Sequence, residues 1–452
     1  MAKALLSFLG TNKYIKCNYR YHDTVIYGVH YVQEAIAKIF CNEWSQGDSI
    51  IIFVTKEAEE ENWEIGKDPE NGEIEGLKSV LKKFADNKKI EVRHVPIPGG
   101  QNDSEIWGIF DAVINSVEKG SEIIVDVTHA FRAIPMLAVV MINYLHMVKN
   151  VTFNGLYYGA VESLGKIEDI KKMPVSERTA PIIDLSSFIY LLQFSNAVNN
   201  FMQYGDAEEI HTFTLNAVTP VLRETSGQHD ISRRIRRVAD DLRKMTQNFA
   251  YCRGKDIIKF NYARLYSEIK ELKESFGQDQ QLLPLKPLQP LLDNILKKIE
   301  IFKDYGKEEN AVKGILAAQW CLEHNLIQQS ITILQESIIT LICMRHNLKY
   351  SKKDDRELIA SAFYKVIDQK NPKTKKDGRK EKSEEGKIQA LLVDQMIHSL
   401  GKTYHKLSQL RNDINHANFR EDEKEPEDIY NEIIEIHKKV MDEVNRTLRL
   451  RS

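Results

Sequence analysis

The chain has 452 residues, of which 42% are hydrophobic and 28% charged, with a formal net charge of −2. That composition excludes the disordered and fibrous classes, and the length exceeds what one hydrophobic core serves, so two or three domains are expected. A balanced charge also excludes a uniformly basic surface, so any nucleic-acid contact must be local.

The opening MAKALLSFLGTNKY reaches a glycine and polar residues too early for a signal peptide, and no apolar run of about 18 residues is present to span a bilayer. A cytoplasmic location without membrane attachment is expected. Cys17, Cys41, Cys252, Cys321 and Cys343 are scattered without a CxxC pair. Neither a zinc site nor a disulfide framework is expected from them.

Up to residue 182, short apolar runs alternate with helical patterns: ALLSFLG, YGVHYVQEAIAKIF, SIIIFVT, LKSVLKKFA, IEVRHVPI, IWGIFDAVINSVEK, EIIVDVTH, AIPMLAVVMINYLHMV and VTFNGLYYG. Near-continuous apolar strands between amphipathic helices predict an α/β domain, Rossmann-like, with a doubly wound parallel sheet. Such sheets bind ligands beyond the carboxyl ends of their strands. The loops there carry Gly10-Thr11-Asn12, Gly99-Gly100-Gln101-Asn102 and Asp126-Val127-Thr128-His129-Ala130-Phe131-Arg132, with Tyr158 at a further strand end. No GxGxxG or GxxxxGK[ST] stands at a strand end, which argues against a dinucleotide cofactor or a P-loop nucleotide and leaves another phosphate ligand open.

From Asp184 onward strand signals nearly vanish, and an all-α region follows. A helical connector is expected over 183–290, ending in the proline-interrupted LLPLKPLQPLL. A C-terminal helix bundle is expected over 291–452, where Ile327, Ile331, Leu334, Ile338 and Leu341 recur at helical spacing. A lysine-rich mobile insertion is expected near 368–387. Two basic runs, ISRRIRRVADDLRK at 231–244 and KNPKTKKDGRKEK at 370–382, read either as nucleic-acid surfaces or as a solvated helix face and a loop.

Late in the bundle lies RNDINH, Arg411 to His416. On a continuous helix Leu407, Leu410 and Ile414 form a core-facing stripe that Arg411 borders, while Asn412 and His416 stack at i and i+4 on another side. A surface histidine without a role is the plain alternative. Imidazole titrates near neutrality and a guanidinium holds phosphate oxygens, so the pair suits phosphodiester cleavage. In RNA the neighbouring 2′-hydroxyl supplies the nucleophile, so proton transfer and charge stabilisation suffice without a metal. One histidine per chain is few for this, and a symmetric dimer would bring two.

Together these residues resemble CRISPR-associated proteins with an N-terminal CARF domain and a C-terminal HEPN ribonuclease domain, in the branch marked by a DxTHG motif. DVTHA at 126–130 matches at Asp126, Thr128 and His129, with Ala130 in place of the glycine, a methyl group that alters the turn or the approach of a ligand. LLSFLGTN, LYYGA at 156–160, the helix from DLSSF to YGDA at 204–207, and WCLEHNLIQQSITILQES at 320–337 also look like this family, and RNDINH matches the HEPN motif.

The resemblance implies a homodimer, or a higher oligomer, without stable association with the CRISPR complex. Its CARF domain would bind a cyclic oligoadenylate made by a type III CRISPR complex, cyclic tetra-adenylate in preference to hexa-adenylate, and its HEPN domain would then cut single-stranded RNA; no cofactor or metal is implied. His416 would transfer the proton, Arg411 contact the scissile phosphate and Asn412 support one of them. Gly10, Thr11 and Asn12 would form a phosphate-binding turn, with Thr128, His129 and Arg132 beside the ring. Asp126 reads equally as a ligand contact or a turn residue, Gly99 and Gly100 as contacts or a flexible turn, and Tyr158 as a contact or core packing. The rival readings are a CARF transcription regulator that docks on DNA through its helical middle, a scaffold with a dead site, and a CARF site that also cleaves its ring.

Overall fold

The computed structural model describes residues 2–129, 134–278, 288–307, 309–368, 381–417 and 424–449. The chain divides into two compact units, Met1–Tyr190 and Leu191–Ser452.

The first unit follows the alternating pattern. Its elements in chain order are β1 (Lys3–Phe8), β2 (Cys17–Tyr21), β3 (Thr24–Val29), α1 (Val32–Phe40), β4 (Ser49–Val54), α2 (Lys56–Ala58), β5 (Ile65–Asp68), β6 (Gly72–Glu75), α3 (Leu77–Asp86), β7 (Glu91–Pro96), α4 (Asp103–Ser116), β8 (Glu122–Asp126), α5 (Ile134–Lys149), β9 (Thr152–Gly159), α6 (Ile167–Ile170) and β10 (Thr179–Asp184). Along β1 and β4 alternate side chains enter opposite cores. Leu5, Ile50 and Ile52 pack with Val32 and Ile36 of α1 and Leu77 and Leu81 of α3, whereas Leu6, Phe8, Ile51 and Phe53 pack with Ile109 and Val113 of α4 and Ala138 and Ile142 of α5. Helices thus cover both faces, which is why these strands read as unbroken apolar runs.

The eight-stranded sheet has the order β3-β2-β10-β9-β8-β1-β4-β7. Its parallel part is β9-β8-β1-β4-β7. Within this parallel part β4 and β7 lie on one side of β1, while β8 and β9, later in the chain, lie on its other side, so the winding reverses between β1 and β8. That reversal is a topological switch point, where the flanking loops part and leave a crevice.

One expectation is corrected. Residues 27–40 are not one helix, because Tyr27–Val29 end β3, whose hairpin with β2 is antiparallel. The expected doubly wound parallel sheet is present, and antiparallel pairings extend it into a mixed sheet: β10 runs antiparallel to β9 and carries the β2–β3 hairpin at its other edge.

Beyond α7 (Ser186–Tyr204) the described elements are helical: α8 (Glu208–Glu224), α9 (Asp230–Ala250), α10 (Gly254–Lys259), α11 (Tyr262–Gln278), α12 (Gln289–Ile299), α13 (Val312–Glu323), α14 (Ile327–Arg345), α15 (Lys353–Asp368), α16 (Glu381–Leu391), α17 (Gln395–Asn415) and α18 (Pro426–Arg449), with a short 3₁₀ turn at Glu300–Phe302. One continuous core joins Phe201, Leu242, Leu265, Trp320, Leu334, Leu407 and Val440. By length and composition α14 alone among the described helices is apolar enough to cross a membrane, and most of it is buried within this core. Much of the proline-interrupted stretch and of the lysine-rich segment expected near 368–387 lies outside the described residues; 381–387 belong to α16.

Candidate functional site

At the switch point, hydrogen bonds fix the strand ends. The buried Ser7 hydroxyl of β1 donates to Asp126 Oδ2 at 2.6 Å. Asp126, fully buried at the end of β8, accepts the Thr128 amide (2.9 Å) and hydroxyl (2.5 Å) on Oδ1. The Thr128 hydroxyl in turn accepts the Gly159 amide of β9 at 2.8 Å. A residue between two others can serve both because a hydroxyl donates once and accepts as well. The line Ser7–Asp126–Thr128–Gly159 therefore links three neighbouring strands. Burial raises the Asp126 pKa, opposed by the hydrogen bonds from Ser7 and Thr128. In this arrangement Asp126 shapes the turn, and both of its oxygens are engaged inside the fold.

The loops after β1 and β8 meet. A Cβ placed on Gly10 would come within 3.2 Å of the His129 Cβ and 3.3 Å of the Tyr14 hydroxyl, so a larger residue there would push the loops apart. The Gly10 amide donates to the Tyr14 hydroxyl at 3.0 Å, and the Tyr14 ring stands edge-on to His129 with centroids 4.8 Å apart. Asn62, in the helical turn after β4, donates to the carbonyls of both Gly10 (2.9 Å) and Asn12 (3.0 Å) and so sets the shape of the turn that leaves Thr11 and Asn12 exposed. Burial pushes the His129 pKa down to about 4, and its Nε2 is buried without a hydrogen-bond partner among the described residues. The imidazole is thus neutral at physiological pH, with one nitrogen unpartnered among the described residues.

Gly10, Thr11, Asn12, Asp126, Thr128 and His129 are brought together in this way. Arg132 lies outside the described residues. Gly99 and Gly100 follow β7, two strands from β1 and so about 10 Å across the sheet. Gly100 has φ +72°, a left-handed conformation suited to glycine, and leads into a reciprocal cap in which Asn102 Oδ1 accepts the Glu105 amide (3.0 Å) and Glu105 Oε2 accepts the Gln101 amide (3.0 Å). Tyr158 is half-buried on β9, with its hydroxyl donating to Glu162; burial first, then that carboxylate, raises its pKa to about 12. No hydrogen bond or ring contact joins these three residues to Gly10 or His129 among the described residues.

Ser7, Tyr14, Asn62 and Gly159 were not singled out in the sequence. A serine inside the apolar run LLSFLG was the only local sign, since a hydroxyl there must find a buried partner.

In the helical unit α17 runs unbroken from Gln395 to Asn415, capped at its start by Asp394, whose side chain accepts the Met396 amide. Leu407 and Leu410 are buried and Ile414 packs against the same core, while Asn412 and His416 are exposed. His416 is the first residue beyond the helix, with its amide donating to the Asn412 carbonyl at 3.1 Å. Arg411 Nη1 donates to Gln335 Oε1 and Glu336 Oε1 of α14, both at 3.1 Å. Glu336 is held from its other side by Arg356 at 2.5 Å, and Gln335 donates to the Ser408 hydroxyl at 2.7 Å. Cys252, at the turn after α9, lies close enough to feel the Arg411 charge, which opposes the burial that raises its thiol pKa. The arginine is therefore fixed by side chains from a second helix, whereas the histidine stands open to solvent one turn later. Gln335 and Glu336 were not singled out in the sequence, because α14 also carries Gln328, Gln329, Ser330 and Ser337.

Residues 4–162 match the family model described as the CARF domain of CRISPR system endoribonuclease Csx1. The chain is also similar to CRISPR-associated protein MJ1674 of Methanocaldococcus jannaschii, 25% identical over 381 residues, covering 81% of this chain and 50% of that protein. It thus spans about half the length of the curated relative it matches.

Proposed function

We propose that this chain, whose residues 4–162 match a CARF domain and which is similar to a CRISPR-associated protein, is an ancillary component of CRISPR defence: an endoribonuclease that cuts single-stranded RNA without a metal ion when a cyclic oligoadenylate fills the switch-point crevice. The observation that carries this reading is the pairing of a tethered Arg411 with an exposed His416 at the end of one helix. In the reaction the 2′-hydroxyl attacks the adjacent phosphorus, loses its proton, and the departing 5′-oxygen gains one; a 2′,3′-cyclic phosphate and a 5′-hydroxyl result. His416 moves the proton, and Arg411, held in line by Gln335 and Glu336, offsets the growing phosphate charge. A second copy of α17 from a two-fold partner supplies the other histidine.

The crevice suits a ring of phosphates and purines: an exposed polar turn at Thr11 and Asn12, a close approach allowed by Gly10, and a nitrogen on neutral His129 that is unpartnered among the described residues. Dimerisation of this unit is supported by the outer face of α5, where Met136 (79% exposed), Val140, Tyr144 and Met147 (76% exposed) line one side, with Trp107 of α4 also exposed. For the ring to activate cutting it must bind the active dimer better than the inactive one. Cyclic tetra-adenylate is the favoured activator.

The test is cleavage of a fluorescent single-stranded RNA in EDTA, with and without cyclic tetra-adenylate, by wild type and His416→Ala. Cutting that appears with the ring and falls about 100-fold or more in the variant is expected. Absence of cutting with both tetra- and hexa-adenylate would leave RNDINH a polar helix end.

A further inference from the structure

The basic run in α9 was left open between a solvated face and a nucleic-acid surface, and its surroundings bear on that choice. Helices α8 and α9 are joined by a tight turn in which Ser226 and Gly227 both have positive φ and the Gly227 amide donates back to the Leu222 carbonyl. The turn sets the two helices side by side, and between them opens a cleft of about 540 Å³. Its wall holds four guanidinium groups, Arg223 from α8 and Arg233, Arg236 and Arg237 from α9, against one carboxylate, Asp240.

Only Arg233 of the four has a close acid of its own, Asp230 in the same first turn, at 3.1 Å. Asp240 is shared between buried His211 at 2.8 Å and Arg236 at 3.8 Å; Arg237 meets Glu268 only at 3.4 Å. Arg223 has no ion-pair partner among the described residues. The side chains of Arg233, Arg236 and Arg237 remain about half exposed. Ion pairs so open to water are worth little, so an anion can displace the acids at small cost.

Position on the helix says which anion. Arg237 and Cys252 are fifteen residues apart along α9 and its following turn, about 22 Å at 1.5 Å per residue. Cys252 is the residue that feels the Arg411 charge. Helix α9 also packs against α14, which holds Arg411 through Gln335 and Glu336, so it runs from the arginine cleft toward the proposed scissile phosphate, a span of several nucleotides.

We propose that the cleft formed by Arg223, Arg233, Arg236 and Arg237 binds backbone phosphates of single-stranded RNA several nucleotides away from the bond cut at Arg411 and His416. The RNA assignment rests on the function proposed above. The cleft acts on substrate affinity and leaves the chemical step to α17.

The experiment uses the full chain and a 20-nucleotide single-stranded RNA, with saturating cyclic tetra-adenylate in EDTA, comparing wild type with the triple variant Arg223→Ala, Arg236→Ala, Arg237→Ala and with the corresponding Arg→Lys variant. The alanine variant is expected to raise KM at least tenfold, to leave kcat, ring binding and melting temperature within error of wild type, and to lower the slope of log affinity against log salt by about 2, at about 0.7 per phosphate lost. The lysine variant, which keeps the charge, retains most of the affinity. An unchanged KM and salt slope in the alanine variant would overturn the proposal. Should wild type fail to cut with either ring, the nuclease reading fails and with it the cleft's placement relative to a cut bond; anisotropy of the same RNA then decides phosphate binding by the cleft, and equal binding by wild type and the alanine variant, or preference for duplex DNA, would overturn it.

Discussion

His129 shows how a residue can be polar, central and uncharged at once. Its pKa is pushed down to about 4 by burial, below the ordinary value near 6.5. Between those values an unfolded chain takes up a proton that the folded chain refuses, so the stability linked to this group is complete above pH 6.5 and is lost as pH falls toward 4. Replacing it by glutamine removes that dependence. The melting temperature of wild type should therefore drop more steeply from pH 6.5 to 4 than that of His129→Gln, and parallel curves would show that the imidazole is not held neutral. Thr128 and His129 were legible because they follow EIIVD, an apolar run that ends in a turn-forming aspartate. Ser7 and Asn62 were not, because their partners are fixed by strand pairing and loop packing between distant segments: Ser7 meets Asp126 only once β1 and β8 lie side by side.

At the level of elements, the strands and helices with one clear period were readable, while the hairpin β2–β3 was missed: β2 and the start of β3 were assigned to no element, and the end of β3 fell inside a pattern taken for helix. Tyr27, Val29 and Tyr31 alternate in the manner of a strand, but the apolar run continues into α1 without a proline or a polar break, so periodicity alone could not divide it. Strand β10 contains Pro181 and lies between β9 and β2, a position where the pattern TAPIID gives little warning. Helix α5 was read as one of the amphipathic helices, but it has a second apolar face: one enters the core through Ala138, Met141, Ile142 and Leu145, and another presents Met136, Val140 and Met147 to the outside. An apolar face of this kind marks an interaction surface. Met136→Glu with Met147→Glu should convert a dimer to a monomer in sedimentation and reduce ring-stimulated cutting at least tenfold; an intact dimer would move the interface elsewhere.

On the scale of the molecule, the proposed ligand residues and RNDINH belong to different units, so activation as proposed would be a property of the whole chain. The double variant Thr128→Ala, Arg132→Ala should lose ring binding in calorimetry and, with it, the stimulation of RNA cutting. Stimulation that survives the loss of binding would separate the sensor from the nuclease. The two units also differ in when they can exist. The sheet is complete once β10 ends at Asp184, but the helical core still needs Val440 and Val444 of α18. At about 5–20 residues per second, a ribosome takes roughly 10 to 50 seconds to make the intervening 260 or so residues. A nascent chain therefore has its sheet well before it has the bundle on which α17 packs, and on the function proposed above a message broken before its end would yield the sensor without a finished nuclease. Order of synthesis alone would then keep an interrupted copy from becoming an unregulated cutter.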